Sequence, residues 1–542
     1  MTTSDDRTSN LPLPPMKWDA WGSAEAAKPL SEDIGNLLEQ VLGVKKSEEA
    51  ERAPQEMTLR PSALSDADRG ALSAIVGAEN LSTADVDRLY RAGGKSTPDL
   101  LRRKITEAQD APDVVLVPGD EDEIVALLAH CSSARLAVVP FGGGTSVVGG
   151  LDPERGENSA VVSLDLRRFD TLHSLDEETG EAVLGAGVTG PRAEELLRAG
   201  GFSLGHFPQS FEFATIGGFA ATRSSGQNSA GYGRFDDMIL GLRVITPAGI
   251  LDAGRAPASA AGPDLRQLLI GSEGVFGVIT EVRLRVHPVP ETTRYEAWTF
   301  PDFATGAAAL RAVEQTGTGP TVIRLSDEAE TGVNLATADK IGSKQPVAGG
   351  CLAITLFEGS EAHAASRKAE TAAVLQAHGG TSLGEDVARA WEHGRFNAPY
   401  LRDSLLASGA LCETLETATT WANLHRLKTA VTGTVTSALR DSGSPALVLC
   451  HISHVYPSGA SLYFTVLAGQ RGDALAQWKT VKAAVSQTIV DNGGTITHHH
   501  AVGADHRPWM QYEIGNLGVE ILRAVKRTLD PAGILNPGKL IP

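Results

Sequence analysis

The 542-residue sequence predicts an α+β protein of more than one domain, with a helical arm ahead of them. Two observations carry this. Single hydrophobic cores stop growing near ~250 to 300 residues, so a chain of this length divides. Along it, short apolar strand runs alternate with helical periodicities, and the run His287-Pro288-Val289-Pro290 interrupts both.

Residues 1–85 read as an arm. A polar, Pro-rich start is followed by short helical patterns such as Asp33 to Leu42, where Ile34, Leu37, Leu38, Val41 and Leu42 share a face. From Asp113, Val114 to Val117 reads as a buried strand and Pro118-Gly119-Asp120 as a turn and cap. Ile124, Leu127, Leu128 and Cys131 mark a helix, and Leu136 to Val139 a second strand. This strand-helix-strand unit delivers the run Pro140-Phe141-Gly142-Gly143-Gly144-Thr145-Ser146 to the carboxyl end of a strand, where α/β sheets bind ligands. Strands at Ala160 to Leu164, Ala182 to Leu184, Val244 to Ile245 and Val278 to Val286, with a helix from Pro191 to Arg198, complete residues 86–290. Strand runs at Leu352 to Phe357, Ala446 to Cys450 and Leu462 to Leu467, with long helices between them, fill 291–480, and 481–542 closes the chain. The polar stretch 337–350 reads as a loop.

The formal net charge of −18 offers no basic field for a phosphate backbone, so nucleic acid is not an expected partner. Four scattered cysteines fit no metal or redox spacing and suit a reducing compartment. Neither a secretory signal nor a window of the roughly 18 apolar residues needed to span a bilayer is visible, so a soluble, cytoplasmic protein is expected.

Glycines let backbone N–H groups approach phosphate oxygens closely. The run from Gly142 to Ser146 has that character, but Val147 stands where a dinucleotide fingerprint needs glycine, and no lysine follows Gly149-Gly150. Gly93-Gly94-Lys95-Ser96 reads as a turn, because Leu89 takes the place of a phosphate loop's first glycine and no strand precedes it. Three further clusters accompany the main run. They are Gly217-Gly218, Thr222-Arg223-Ser224-Ser225-Gly226, and Gly271 to Ile279 with Glu273, Gly274, Gly277 and Val278.

In order and character these four clusters resemble the FAD-binding pattern of the vanillyl-alcohol oxidase class of flavoproteins. The resemblance implies a two-subdomain FAD-binding domain of the PCMH type and a mixed α/β cap domain for substrate, with the C-terminal segment completing the active site. Gln209, Ser210 and Thr215 join the clusters as expected cofactor contacts. Thr145 stands where some relatives carry a flavin-linking histidine, so non-covalent FAD is implied.

Trp18-Asp19-Ala20-Trp21-Gly22, Val322-Ile323-Arg324-Leu325, Tyr400-Leu401-Arg402-Asp403, Ser461-Leu462-Tyr463-Phe464 and Thr497-His498-His499-His500 narrow the likeness. They resemble the ordered landmarks of alkyldihydroxyacetone-phosphate synthases, from about residue 16 to the end. That family makes the ether bond of ether lipids. The resemblance implies exchange of the acyl group of acyl-dihydroxyacetone phosphate for a fatty alcohol through a flavin N5 adduct. A lipid-like substrate, peripheral contact with a membrane surface and a homodimer go with it.

By the same resemblance Tyr463 is the general acid/base. A phenol working near neutral pH needs adjacent cations, and Arg402 and the histidines are the expected ones. If His498 to His500 lie on a strand, His498 and His500 share one face and His499 takes the other. Convergent zinc ligands are not expected from such neighbours, and no metal is assigned. Arg402 is expected to meet a substrate anion bidentately or lie beside the flavin. Arg324, in an apolar strand, either serves the substrate or pairs with an internal carboxylate. Trp391, Phe396 and Tyr400 read as packing.

The sequence departs from the family at Gln209, where aspartate is usual, at Ala501, where glycine usually follows the histidines, and at 227–230, which lacks the usual lysines. The main rival is an FAD-dependent dehydrogenase or oxidase of a 2-hydroxy acid, which shares the closing pattern Leu529-Asp530-Pro531 to Asn536-Pro537-Gly538-Lys539. Its two-histidine, one-glutamate metal set appears here only as His454, with Tyr463 and His499 in the other regions, which favours the synthase reading. A non-enzymatic binding protein ranks third.

Overall fold

The computed structural model describes residues 9, 11–26, 30, 32–44, 52–104, 108–333 and 349–542. Of the polar stretch 337–350, all but the last two residues lie outside these, as does most of the polar start.

The first half is built on two sheets. In the smaller, the strands Val114–Leu116, Ala160–Asp165 and Leu136–Phe141 run parallel in that spatial order, and Leu81–Ser82 pairs antiparallel at one edge. The helix Glu121–Ala134 crosses between the first and last of the parallel strands. It starts where the Asp120 carboxylate accepts from Glu123 N, and Ile124, Leu127, Leu128 and Cys131 are its buried face. The second sheet is antiparallel, in the order Leu172–Asp176, Glu181–Gly185, Val278–Arg285, Ile239–Thr246, Gly249–Ala253. The run Gly93 to Ser96 is a turn whose last residue caps the helix Thr97–Arg102.

Thr292–Phe300 begins the largest sheet, which is antiparallel throughout. Its order is Thr381–Gly384, Thr292–Phe300, Cys351–Gly359, Val322–Ser326, Ala446–Ile452, Gly459–Gly469, Ala410–Thr420, with Val455–Tyr456 pairing beside Gly459. One face is covered by Phe303–Thr316, Leu424–Asp441 and Ala474–Asp491. Leu424, Leu427, Val431, Val435 and Leu439 recur at helical spacing and are fully buried there. The 85/86 and 480/481 divisions read from the sequence fall inside helices, Asp85–Leu89 and Ala474–Asp491, rather than between elements.

The strand Gly459–Gly469 shows how this sheet positions a site. Ala460, Leu462, Phe464, Val466 and Ala468 point into the helix-covered core, and the alternate residues Tyr463, Thr465 and Leu467 face a cavity on the other side. Register places His451 and Glu416 directly across from Tyr463 on its two neighbouring strands. A one-residue slip would turn Tyr463 into the core.

The C-terminal segment returns to the first half. Leu535 bridges Val138 in parallel, and Asn536 Nδ2 donates to the carbonyls of Gly150 and Glu273 at 3.1 and 2.7 Å. All four cysteines are free and buried. Among the described residues no helix is long and apolar enough to cross a membrane.

Candidate active site

A cavity of about 380 Å³ runs between the two halves. Pro140, Phe141, Gly142, Gly143, Gly144, Thr145 and Ser146 line one end, with Gln209, Ser210, Thr215, Gly217, Gly218, Thr222, Ser224, Ser225, Glu273, Gly274, Gly277 and Ile279. Arg324, Arg402, Tyr463, His499 and His500 line the other. Three residues read as site residues lie elsewhere. Val278 is fully buried in the sheet, paired with Ile245. Arg223 and His498 line a second pocket beside the cavity, which also touches Thr222. Arg223 donates to Asp236 at 2.9 Å, an ion pair that accounts for a residue whose place in the sequence pattern suggested cofactor.

The glycine end fits FAD. At Gly143 a Cβ would stand 2.0 Å from the Phe213 carbonyl oxygen, and at Gly142 2.5 Å from Thr215 Oγ1, so side chains are excluded where the loop meets the next wall. Gly144 and Gly274 hold φ of 70° and 76°, which turns the chain around the cavity. Gln227, one of the lining residues, has a buried Oε1 with no protein partner. A long cleft of exposed backbone and hydroxyls suits a pyrophosphate and its nucleoside.

At the opposite end the histidines do not form a strand, which corrects the alternation expected from the sequence. Residues 498–500 bend around one buried carboxylate. Glu416 accepts from the N–H groups of His498, His499 and His500 at 2.6, 3.1 and 2.9 Å, and from Thr497 Oγ1 at 2.6 Å. Successive N–H groups converging on one anion form a nest. The wrap turns His499 and His500 toward the cavity and His498 away, the reverse of the pairing a strand would give.

Protonation also differs from expectation. Burial keeps His498, His499 and His500 below the ordinary histidine range, His500 at about 3, so they are neutral at physiological pH. Burial pushes the Tyr463 hydroxyl up, against smaller opposing effects of Thr414 and Arg402. Neighbouring cations therefore do not create a phenolate here, because desolvation outweighs them. Burial also works against the Glu416 charge, but the converging N–H groups of His498, His499 and His500 and the Thr497 hydroxyl favour it, and the carboxyl is held well below its usual range.

Arg402 is buried and tied down. Its Nε and Nη2 donate to Asp403 at 3.0 and 2.9 Å and its Nη1 to the Lys95 carbonyl at 2.5 Å, leaving two of five N–H groups for other partners. Arg324 pairs with Glu330 at 2.7 Å and lies over the Trp391 ring, so it does have the internal carboxylate partner considered above. Glu330 also accepts from His451 Nδ1 at 2.8 Å, and the His451 ring stacks on Tyr463 with centroids 4.9 Å apart. Although burial opposes it, the contacts with His451 and Arg324 keep the Glu330 carboxyl at about 2.

Sequence reasoning missed Glu330, His451, Glu416 and Arg395. The first three meet Tyr463 or the histidines only through sheet register. Arg395 lies over Phe207 and Phe396, and its signal in the sequence is a cation directly before an aromatic residue. His454, His498 and His499 bring one nitrogen each within 4.8 Å of one another, a convergence not expected from a strand. Hydrogen bonds already engage His454 Nδ1, with Ser229, and both nitrogens of His498.

Residues 112–254 match the family described as FAD binding domain, and residues 289–540 that described as FAD linked oxidases, C-terminal domain. With the cleft between those regions, this defines a flavoprotein of the FAD-linked oxidase class, an FAD-dependent enzyme. The alkyldihydroxyacetonephosphate synthase of Trypanosoma brucei brucei is 31% identical over 97% of this chain and 92% of its own, and that of Dictyostelium discoideum 33% over 86% and 79%. A solved alkyldihydroxyacetonephosphate synthase superposes with a TM-score of 0.81 at 28% identity, covering 96% of this chain and 99% of that one. The chain belongs to the alkyldihydroxyacetonephosphate synthase family.

Two predictions follow from the histidine segment. Glu416→Gln removes the ionised acceptor of four donors and is expected to cost about 3 kcal/mol or more near pH 7. A carboxyl held below its unfolded value stabilises above that value, about 4.5, and loses the contribution as pH falls toward its folded value. Urea unfolding of both proteins should therefore show the difference shrinking below about pH 4.5. Ala501 holds φ of 73°, a left-handed conformation. Ala501→Gly is expected to raise stability by roughly 0.5 to 1 kcal/mol, measured the same way.

Proposed function

We propose that the enzyme exchanges the acyl group of an acyl-dihydroxyacetone phosphate for a fatty alcohol, and that FAD is held without a covalent link. The observation that carries the reading is the composition of the reaction end. Leu401, Leu405, Cys412 and Leu467 line an apolar stretch of the cavity beside Arg402, Tyr463 and the histidines. A chain of methylenes and an anionic head need those two environments side by side. The curated relatives named above carry this activity in their names.

Bound flavin supplies an electron sink to the substrate carbon. Arg402 presents its two remaining N–H groups to the phosphate or lies beside the flavin, and Arg395 and Arg324 are the other cations at the wall. Tyr463, kept protonated by burial, moves its hydroxyl proton to and from the substrate. His499 and His500, being neutral, can accept a proton from the alcohol or donate one to the departing acid. With water displaced by lipid, these hydrogen bonds strengthen.

Anaerobic mixing with acylated dihydroxyacetone phosphate and a fatty alcohol, followed by the flavin spectrum and product analysis, tests the reading. Ether product without lasting bleaching is expected. Lasting bleaching by a 2-hydroxy acid, with no ether product from the acyl substrate, would establish the oxidoreductase alternative. Tyr463→Phe is expected to lower kcat by about 100-fold or more with flavin still bound; full retained activity removes it from the reaction.

The proposal extends to the surroundings: a cytoplasmic homodimer drawing its substrate from a membrane surface. The helical segment Met510–Leu529, broken at a non-helical Gly515 with φ of 72°, leaves Tyr512 and Ile514 exposed before the break and Leu517 and Ile521 after it, Leu517 at 76%. Such a stripe is uncommon on a soluble surface. Wild type is expected to sediment with phosphatidylcholine vesicles and Leu517→Glu to remain in the supernatant. Light scattering reads the dimer mass independently.

A further inference from the structure

The groups that handle protons at the reaction end, Tyr463, His499 and His500, are largely enclosed and neutral. A neutral imidazole that gives up its only N–H becomes an imidazolate, a charge too costly in such surroundings unless a second proton arrives at its other nitrogen. His499 has a neighbour placed to supply one. Its Nδ1 lies 2.9 Å from His498 Nδ1, and His498 Nε2 lies 2.6 Å from the Tyr456 hydroxyl. Tyr456 and His498 line the second pocket, while His499 lines the reaction cavity. The three side chains thus form a continuous hydrogen-bonded path between two cavities, with every contact at hydrogen-bond distance.

We propose that Tyr456, His498 and His499 are a proton relay that lets His499 deliver and recover a proton in the reaction cavity without acquiring charge. This goes beyond the acyl-for-alkyl exchange but rests on it for the direction of each transfer. When the acyl group departs, His499 Nε2–H gives its proton to the carboxylate oxygen. His498 passes its Nδ1 proton to His499 Nδ1, Tyr456 passes its hydroxyl proton to His498 Nε2, and water in the second pocket reprotonates the tyrosine oxygen. When the alcohol adds, its O–H bond breaks and its proton enters at His499 Nε2. The same three transfers run backward and one proton leaves Tyr456 for water. The acid departs as RCOOH, one proton enters, one leaves, and both imidazoles return to their starting tautomers.

The surroundings hold the path in place. Glu416 fixes the backbone of both histidines, the His454 ring stacks on His498 with centroids 4.9 Å apart, and Arg234, paired with Asp236 at 2.9 Å, meets the Tyr456 hydroxyl at the second pocket. Burial lowers all three imidazoles and raises Tyr456 to about 12, so each member is neutral at rest. Tyr456 acts through the histidines and is a relay residue rather than a catalytic one. Arg234, Asp236, Asp237, Glu416, His451, His454 and His500 are the titratable and charged groups around it.

The test is Tyr456→Phe, which removes the outer hydroxyl and keeps the ring. With flavin content verified by absorbance, kcat is expected to fall at least about tenfold with KM little changed. The solvent deuterium effect on kcat should rise, and imidazole buffer entering the second pocket should restore part of the rate. An unchanged kcat, or a loss of rate with neither a larger isotope effect nor buffer rescue, overturns the relay. A second measurement needs no turnover and is made on the wild-type holoenzyme. Nitrogen-15 NMR of labelled histidines should show one Nδ1 of the His498 and His499 pair protonated. Finding Nε2–H tautomers on both overturns the relay as well. Failure of the exchange reading shows separately, as a wild type that yields no ether product.

Discussion

The carboxylate of Glu416 is the interaction on which the reaction end depends. It sits on a sheet strand opposite Tyr463 and accepts three successive backbone N–H groups from a segment with no regular structure of its own. A loop in this position would otherwise bury unpaired donors, each costing about 1 to 3 kcal/mol. One side chain therefore satisfies the backbone of all three histidines and decides which face each presents. The cavity receives two imidazoles and the second pocket one because a nest curls the chain, whereas a strand would have alternated it.

This explains how much could be read in advance. The elements were largely legible, because a buried helix face such as Ile124, Leu127, Leu128 and Cys131 and a buried strand such as Val114 to Leu116 carry their own periodicity. The glycine clusters were legible as a cleft, since close approach leaves a compositional mark, as at Gly142 and Gly143. Val278 and Arg223 were drawn into that reading by adjacency alone. One turns into the sheet and the other finds Asp236, facts set by strand parity and by a residue thirteen positions away.

Less legible was everything created by register. Nothing in the local sequence ties Glu416 to residues 497–500, more than eighty positions later, or Glu330 to His451. The protonation states were misjudged for a related reason. Arg402 and three histidines beside a tyrosine look cationic as a list of residues. In the fold Arg402 is committed to Asp403, the histidines are desolvated, and burial dominates the tyrosine. Charge in a sequence is a count, but in a dry site it depends on who is left to solvate it.

The segment from Thr497 to Gly503 spans both ends of the cavity, and a second carboxylate holds its far end. Glu273, at the cofactor end, accepts from Gly503 N at 2.8 Å and from Val502 N at 3.2 Å. The two carboxylates are equally secluded, yet burial wins at Glu273 and raises it to about 7, while Glu416 is held far down. The difference follows the company each keeps. Glu273 has only those two backbone N–H groups and the distant Lys539, whereas Glu416 has three such groups and a hydroxyl. A fixed anion is therefore built at the reaction end and a carboxyl able to take a proton at the cofactor end, the first holding residues 497–500 and the second Val502 and Gly503. Because the same stretch of backbone closes the flavin cleft and aims the histidines, displacement at either carboxylate moves both.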